Sequence, residues 1–220
     1  MTATTKPPYW DRACTELAQA DPVIGAIIGR CGNAHLASRG DPFVTLARSI
    51  VGQQISVKAA QSVWSRLEAR AKEVSPERIA RMRAPTLRAC GLSDRKVEYV
   101  RDLARRFNNG AVDPAQWHRL DDEAIIEQLV QVRGVGRWTA EMFLIFNLLR
   151  PDVFPLDDLG VLRAVAQHYG NMDAATLTFT GAAGRELRAA VDAVGERWRP
   201  WRTVATWYLW RSLDPVPVEY

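Results

Sequence analysis

The sequence predicts an all-α chain of about ten helices, some of them short. Three observations carry that reading. Apolar residues recur at three- and four-residue spacing along most of the chain, the period of a helix with one buried face. Helix-opening pairs, Asp21-Pro22, Asp41-Pro42 and Ser75-Pro76, stand just before such runs. No stretch alternates apolar and polar residues as a half-buried strand does. The 220 residues suffice for one sizeable core or for two small lobes sharing a cleft.

Trp10 to Ala20 reads as the first helix. Asp21-Pro22 opens a second, to about Arg30, because Asp accepts N–H bonds at a helix start and Pro there forfeits no intrahelical bond. Asp41-Pro42 opens a third, with Phe43, Leu46, Ala47 and Ile50 on its apolar face. The pattern breaks at Gly52-Gln53-Gln54-Ile55-Ser56, and Ser56 caps a helix carrying Ala60, Val63, Trp64 and Leu67. Ser75-Pro76-Glu77 starts a short helix, and Gly91 ends a following turn. Ser93 caps a helix burying Val97, Val100, Ala104 and Phe107, closed by Asn108-Asn109-Gly110. Asp121 caps another, bearing Ala124, Ile125, Leu129 and Val132. Gly134-Val135-Gly136 interrupts the period, which resumes through Ala140, Phe143, Leu144 and Leu148. Pro151 and Pro155 force a loop. A helix restarts at Asp157 or Asp158 and runs to about His168, with Gly170 beyond it. Two more follow, over about 181–196 and 200–213, and no low-complexity linker divides the chain.

Hydrophobic residues make up 47% and charged residues 25%, an ordinary globular balance, and the net charge of +4 suits a polyanionic partner without requiring one. Cys14, Cys31 and Cys90 are widely spaced with no CxxC pair, which excludes a four-cysteine zinc or iron–sulfur site and suits reduced thiols in a cytosolic protein. Met1 to Tyr9 holds one Lys and two prolines but no apolar run, unlike a secretion signal. No stretch is apolar enough to span a bilayer.

Two strings carry chemistry. In Leu129-Val130-Gln131-Val132-Arg133-Gly134-Val135-Gly136-Arg137-Trp138-Thr139-Ala140, two glycines flank one apolar residue between amphipathic helices. Glycine permits a tight turn. The N–H groups and dipole of the following helix then form a site for a phosphate oxygen, with Val135 tucked inward. A bare Gly-x-Gly also serves ordinary helix–helix turns. The second string is Val153-Phe154-Pro155-Leu156-Asp157-Asp158-Leu159-Gly160-Val161. An Asp before an apolar helix is first of all an N-cap.

Taken whole, the hairpin string with Arg-Trp-Thr-Ala after it resembles the helix-hairpin-helix DNA glycosylases. The Pro/Asp-Asp loop is similar to that of the 3-methyladenine DNA glycosylase II branch. The likeness covers roughly residues 40–213. It implies a two-lobed helical bundle with an active-site cleft between the lobes. It implies a single glycosylase domain over 1–220, with the hairpin at about 121–149 and the catalytic loop at about 150–160. The chain looks like a compact form without the extra amino-terminal domain of the bacterial inducible enzyme.

The implied partner is double-stranded DNA containing damaged bases. The implied reaction is hydrolysis of the N-glycosidic bond of a flipped-out alkylated base, of the 3-methyladenine and 7-methylguanine class, leaving an abasic site. By the resemblance Asp158 is catalytic, and Asp157 is the expected helix cap and second choice. Breaking the bond builds positive charge on the sugar, which a fixed carboxylate stabilises, so Asp158 is expected to act by electrostatics and by orienting water. Bifunctional relatives carry a lysine where this chain has Trp138. The four lysines, Lys6, Lys58, Lys72 and Lys96, all precede the hairpin, so no amine stands there for a Schiff base. A monofunctional enzyme is expected.

Gln53-Gln54-Ile55-Ser56 resembles the loop that fills the gap left by the flipped base, with Gln54 as filler and Ser56 nearby in the minor groove. Gly134, Val135, Gly136 and Thr139 are the implied hairpin contacts to DNA. Trp138, Met142 and Trp210 are the implied base pocket, with Met142 in place of a family aromatic. Alkylated purines of this class are cationic, so an electron-rich ring attracts them and they leave without a general acid. The main-chain carbonyls of Val130, Val132 and Val135 are the implied holders of a sodium or potassium ion, and catalysis requires no cofactor. Rival readings are a glycosylase for hypoxanthine, uracil or an oxidised purine, and a non-catalytic hairpin protein that only binds DNA. The expected setting is a monomer with no membrane partner, in the bacterial cytoplasm with the nucleoid or in a eukaryotic nucleus, and not secreted.

Overall fold

The computed structural model describes residues 6–170 and 177–213. Met1 to Thr5, part of the segment read above for a secretion signal, lie outside the described residues. Within them are twelve α-helices and no strand: α1 (Trp10–Ala20), α2 (Pro22–Cys31), α3 (Pro42–Gly52), α4 (Val57–Ala71), α5 (Pro76–Arg81), α6 (Ala84–Ala89), α7 (Asp94–Asn108), α8 (Asp122–Val130), α9 (Arg137–Phe146), α10 (Leu159–Tyr169), α11 (Gly181–Gly195) and α12 (Arg202–Leu213). The all-helical expectation holds.

The caps explain the boundaries. Asp21 accepts from the N–H groups of Val23 and Ile24, and Asp41 from that of Val44 at 2.8 Å. Ser56, Ser75 and Ser93 do the same for α4, α5 and α7, and Asp121 for α8. Each satisfies a donor that a helix start leaves without an internal partner. Two short elements differ from the expectation. Residues 84–89 form a helix rather than only a turn, and Pro114–Arg119 forms a 3-10 segment that buries Trp117. Six residues hold too few turns for a period to emerge.

The chain forms two compact units. One comprises residues 1–38 and 144–218, the other mainly residues 39–143. In the first, α12 packs on α1, α2 and α10. It buries Thr203, Val204, Ala205, Thr206, Tyr208 and Leu209, a nearly all-round burial that marks a central helix. Asp21 is buried there and also accepts from Tyr169 Oη at 2.8 Å and Trp198 Nε1 at 3.0 Å. In the second unit α7 packs on α3, α5 and α6, around Phe43, Leu46, Ile50, Leu67, Ile79 and Leu103.

Candidate functional site

In the second unit the hairpin is α8, a turn over 131–136, and the start of α9. Gly134 has φ +81°, and a Cβ there would collide with the ring of Tyr99. That position therefore requires glycine twice over, for conformation and for space. Gly136 is exposed, with nothing within 4 Å of where a Cβ would stand, so the backbone lies open to a partner on that side. Val135 is buried and its N–H donates to the Val132 carbonyl at 3.0 Å. Its part is to staple the turn. The Ala140 N–H donates to the Gly136 carbonyl, so residues 137–139 are the opening turn of α9, whose N–H groups have no acceptor within the helix. Thr139 is buried.

The 53–56 loop lies beside this turn. Gln53 Nε2 donates to the Gly134 carbonyl at 2.8 Å. Gln54 and Ile55 are exposed, and Gln54 holds φ +59°, a left-handed backbone uncommon for a residue with a side chain. Ser56 is exposed and its Oγ caps α4 by accepting from Ala59 N–H. On α9, Trp138 is 41% exposed and Met142 half-buried. They stand four residues apart, on one helix face.

Of the three expected carbonyl donors, Val130 ends α8, and Val132 and Val135 lie in the turn that follows it. They are neutral oxygens, two of them at the negative end of a helix dipole, a donor type that suits a monovalent cation. Val132 already spends one lone pair on the Val135 N–H. Among the described residues no group of three or more His, Cys, Asp or Glu is placed to hold a metal ion.

In the first unit Asp158 is itself the N-cap of α10. This corrects the expectation that Asp157 is the cap. The chain is extended at Asp158 (φ −74°, ψ 121°), which turns its carboxylate back over the first helical turn. Its Oδ1 accepts from the Val161 N–H at 2.9 Å and from Trp210 Nε1 at 2.8 Å. Asp157 is exposed and pairs with Arg188 Nε at 2.7 Å. The Trp210 ring stacks on Phe146, centroids 5.7 Å apart and planes 13° from parallel. A Cβ on Gly160 would stand 2.9 Å from Trp210 Cδ1 and 3.0 Å from Asp158 Oδ1, so glycine lets the indole reach the carboxylate.

The loop leading to Asp158 is anchored from α12. Thr203 Oγ1 donates to the Arg150 carbonyl at 2.6 Å and accepts from the Val153 N–H at 2.9 Å. Asp152 accepts from Arg202 Nε and Arg199 Nη1, each at 2.8 Å. Sequence reasoning missed Phe146, Thr203, Asp152 and Gln53 as supporting residues. Each reads locally as core or surface, and the partners lie 47 to 81 residues away in sequence.

Residues 47–179 match the HhH-GPD superfamily of base excision DNA repair proteins. The chain is 33% identical over 190 residues to DNA-3-methyladenine glycosylase 1 of Schizosaccharomyces pombe, covering 84% of this chain and 78% of that protein. Among solved structures, the DNA-3-methyladenine glycosidase of Bacillus halodurans superposes with a TM-score of 0.81 at 31% identity, over 96% of this chain and 91% of that one. The S. pombe 3-methyladenine DNA glycosylase in complex with abasic DNA gives a TM-score of 0.74 at 30% identity, over 91% and 96%.

Proposed function

The chain belongs to the HhH-GPD superfamily of base excision DNA repair proteins, and from that premise we propose that it is a monofunctional DNA glycosylase acting on alkylated purines in duplex DNA. The observation that carries the reading is the Asp158 carboxylate, fixed at the start of α10 by a main-chain N–H and an indole N–H. A glycosylase of this kind needs an anion set in place before positive charge develops on the sugar, because a group that must first reorganise gives back part of what it stabilises.

The C1′–N bond breaks with its electron pair leaving on the base. A 3-methyladenine or 7-methylguanine is cationic in DNA and departs neutral, so no acid need protonate it. Asp158 stabilises the oxocarbenium-like sugar and orients the water that adds to C1′, whose proton is then lost. Trp138 is the ring on which the cationic base stacks, a cation–π contact worth about 1–2 kcal/mol, and Met142 shapes the same helix face with an adaptable side chain. Gly134, Gly136 and the opening N–H groups of α9 take DNA phosphate, which positions the duplex without reading sequence. Gln54 fills the space the base vacates, with Ser56 beside it. A sodium or potassium ion held by the carbonyls of Val130, Val132 and Val135 would add positive charge next to that phosphate. With Trp138 at the lysine position, the product is an abasic site in an unbroken strand.

The Asp158→Asn variant tests the assignment. It keeps the side-chain size and the oxygen that caps α10, and removes the charge. Release of 7-methylguanine should fall by about 10²–10³-fold, with affinity for duplex containing an abasic-site analogue retained. Base release at the wild-type rate would remove Asp158 from the mechanism.

A further inference from the structure

We infer that Lys96, acting with Gln53, is a positioning residue that holds Gln54 in its inserting conformation and ties the 53–56 loop to the hairpin. The inference rests on the reading of that loop as the part that fills the vacated base position.

Lys96 sits in the first turn of α7, where its own N–H is capped by Ser93 Oγ. Its ammonium reaches across to the end of α3 and donates to two main-chain carbonyls, those of Val51 at 2.7 Å and Gln53 at 2.8 Å. Both carbonyls lie at the C-terminal end of α3, where helix carbonyls lose their internal donors and the dipole is negative. A half-buried ammonium there satisfies them with charge-assisted bonds. Gln53 continues the connection, because its side-chain amide donates to the Gly134 carbonyl. The chain of bonds runs from α7 through Lys96 to the backbone of Gln53, and through the Gln53 side chain to the hairpin turn.

Gln54 is the next residue, and its left-handed backbone (φ +59°) persists only if its neighbours are held. The same helix also braces the hairpin. Tyr99 packs against Gly134, and Asp102 accepts from the Arg133 N–H at 3.0 Å. Lys96, Tyr99 and Asp102 recur every three residues along one side of α7. One rigid helix therefore sets the register of both DNA-facing loops in this unit. The ammonium itself is committed to structure, because both of its bonds go to backbone carbonyls.

The test compares Gln54→Ala, Lys96→Met and the double variant. Affinity is measured for a duplex containing a tetrahydrofuran abasic-site analogue and for the same duplex undamaged, at one salt concentration. Gln54→Ala should lose much of the preference for the abasic duplex. Lys96→Met should lower that preference by about tenfold, the loss expected for charge-assisted bonds, and leave affinity for undamaged duplex nearly unchanged. The double variant should lose no more preference than Gln54→Ala alone, because Lys96 acts through Gln54. If Lys96→Met does not melt cooperatively, Gln53→Leu cuts the same connection and should show the same pattern. Wild-type preference in Lys96→Met or in its Gln53→Leu substitute, or losses that multiply in the double variant, would overturn the inference. Wild-type preference in Gln54→Ala would overturn it too, by removing Gln54 as the inserted residue. A failure of the glycosylase reading is separately visible as absent base release by the wild-type protein.

Discussion

Asp158 uses one carboxylate oxygen for two tasks, capping α10 and receiving the Trp210 indole N–H. That an Asp caps this helix was legible in the sequence, but the residue expected there was Asp157 rather than Asp158. The catalytic role came only from the longer Pro/Asp-Asp string, and the indole bond was not legible, since Trp210 lies 52 residues further on. Phe146, which supports that indole from behind, reads in sequence as one more apolar residue of a helix. The geometry predicts a division of roles at residue 210. Trp210→Phe keeps a ring to stack on Phe146 but removes the donor to Asp158. Base release should fall by about tenfold, the effect of one hydrogen bond to a charged group, with little change in melting temperature. A rate equal to wild type in a single-turnover assay would show that the indole N–H does not orient the carboxylate.

Helix starts were the most legible elements, because a cap is a local device in which an Asp or Ser oxygen meets an N–H two or three residues on. Asp21, Asp41, Ser56, Ser75, Ser93 and Asp121 all cap as their sequence positions imply. The loop over 147–158 was legible only as a break forced by two prolines. What fixes its path is the buried Thr203 hydroxyl, bonded to the Arg150 carbonyl and the Val153 N–H, and the Arg199 and Arg202 guanidinium groups on Asp152. Such contacts leave no local trace, because a Thr in an apolar helix reads as a filler. Thr203→Val keeps the shape of the side chain and strips its hydrogen bonding. It should cost about 1–3 kcal/mol, the penalty for leaving buried partners unsatisfied, as measured by urea denaturation, and should slow base release by loosening Asp158.

At the scale of the whole molecule, two lobes were expected, but which segments of the chain make up each was the least legible feature. The first is assembled from both ends of the chain, and the pairing of α12 with α1 and α2 depends on contacts that no local period encodes. No helix among the described residues is long and apolar enough to cross a membrane, as the sequence implied. The units also carry the acid response of the fold. Burial works to raise the Asp21 carboxyl, but bonds from Trp198, Tyr169, Ile24 and Val23 outweigh it and hold it below the usual range. Asp102 is the same case, with burial opposed by the Arg133 N–H and the guanidinium groups of Arg105 and Arg106. A carboxyl lowered by folding stabilises the fold fully above its unfolded value of about 4, and that contribution fades as pH drops through the lower folded value. Melting temperature should therefore fall steeply below about pH 4, and Asp21→Asn should flatten part of that slope while lowering stability at neutral pH. A slope unchanged by Asp21→Asn would remove that carboxyl from the account.

The central claim is hydrolytic excision of an alkylated purine without strand cleavage. It is tested most directly by incubating the protein with end-labelled duplex containing 7-methylguanine and analysing free base and strand length, with and without hot alkali. The account predicts that the methylated base is released and that the strand stays whole until alkali breaks it at the abasic site. Absence of released base, or a strand nicked before alkali, would contradict it.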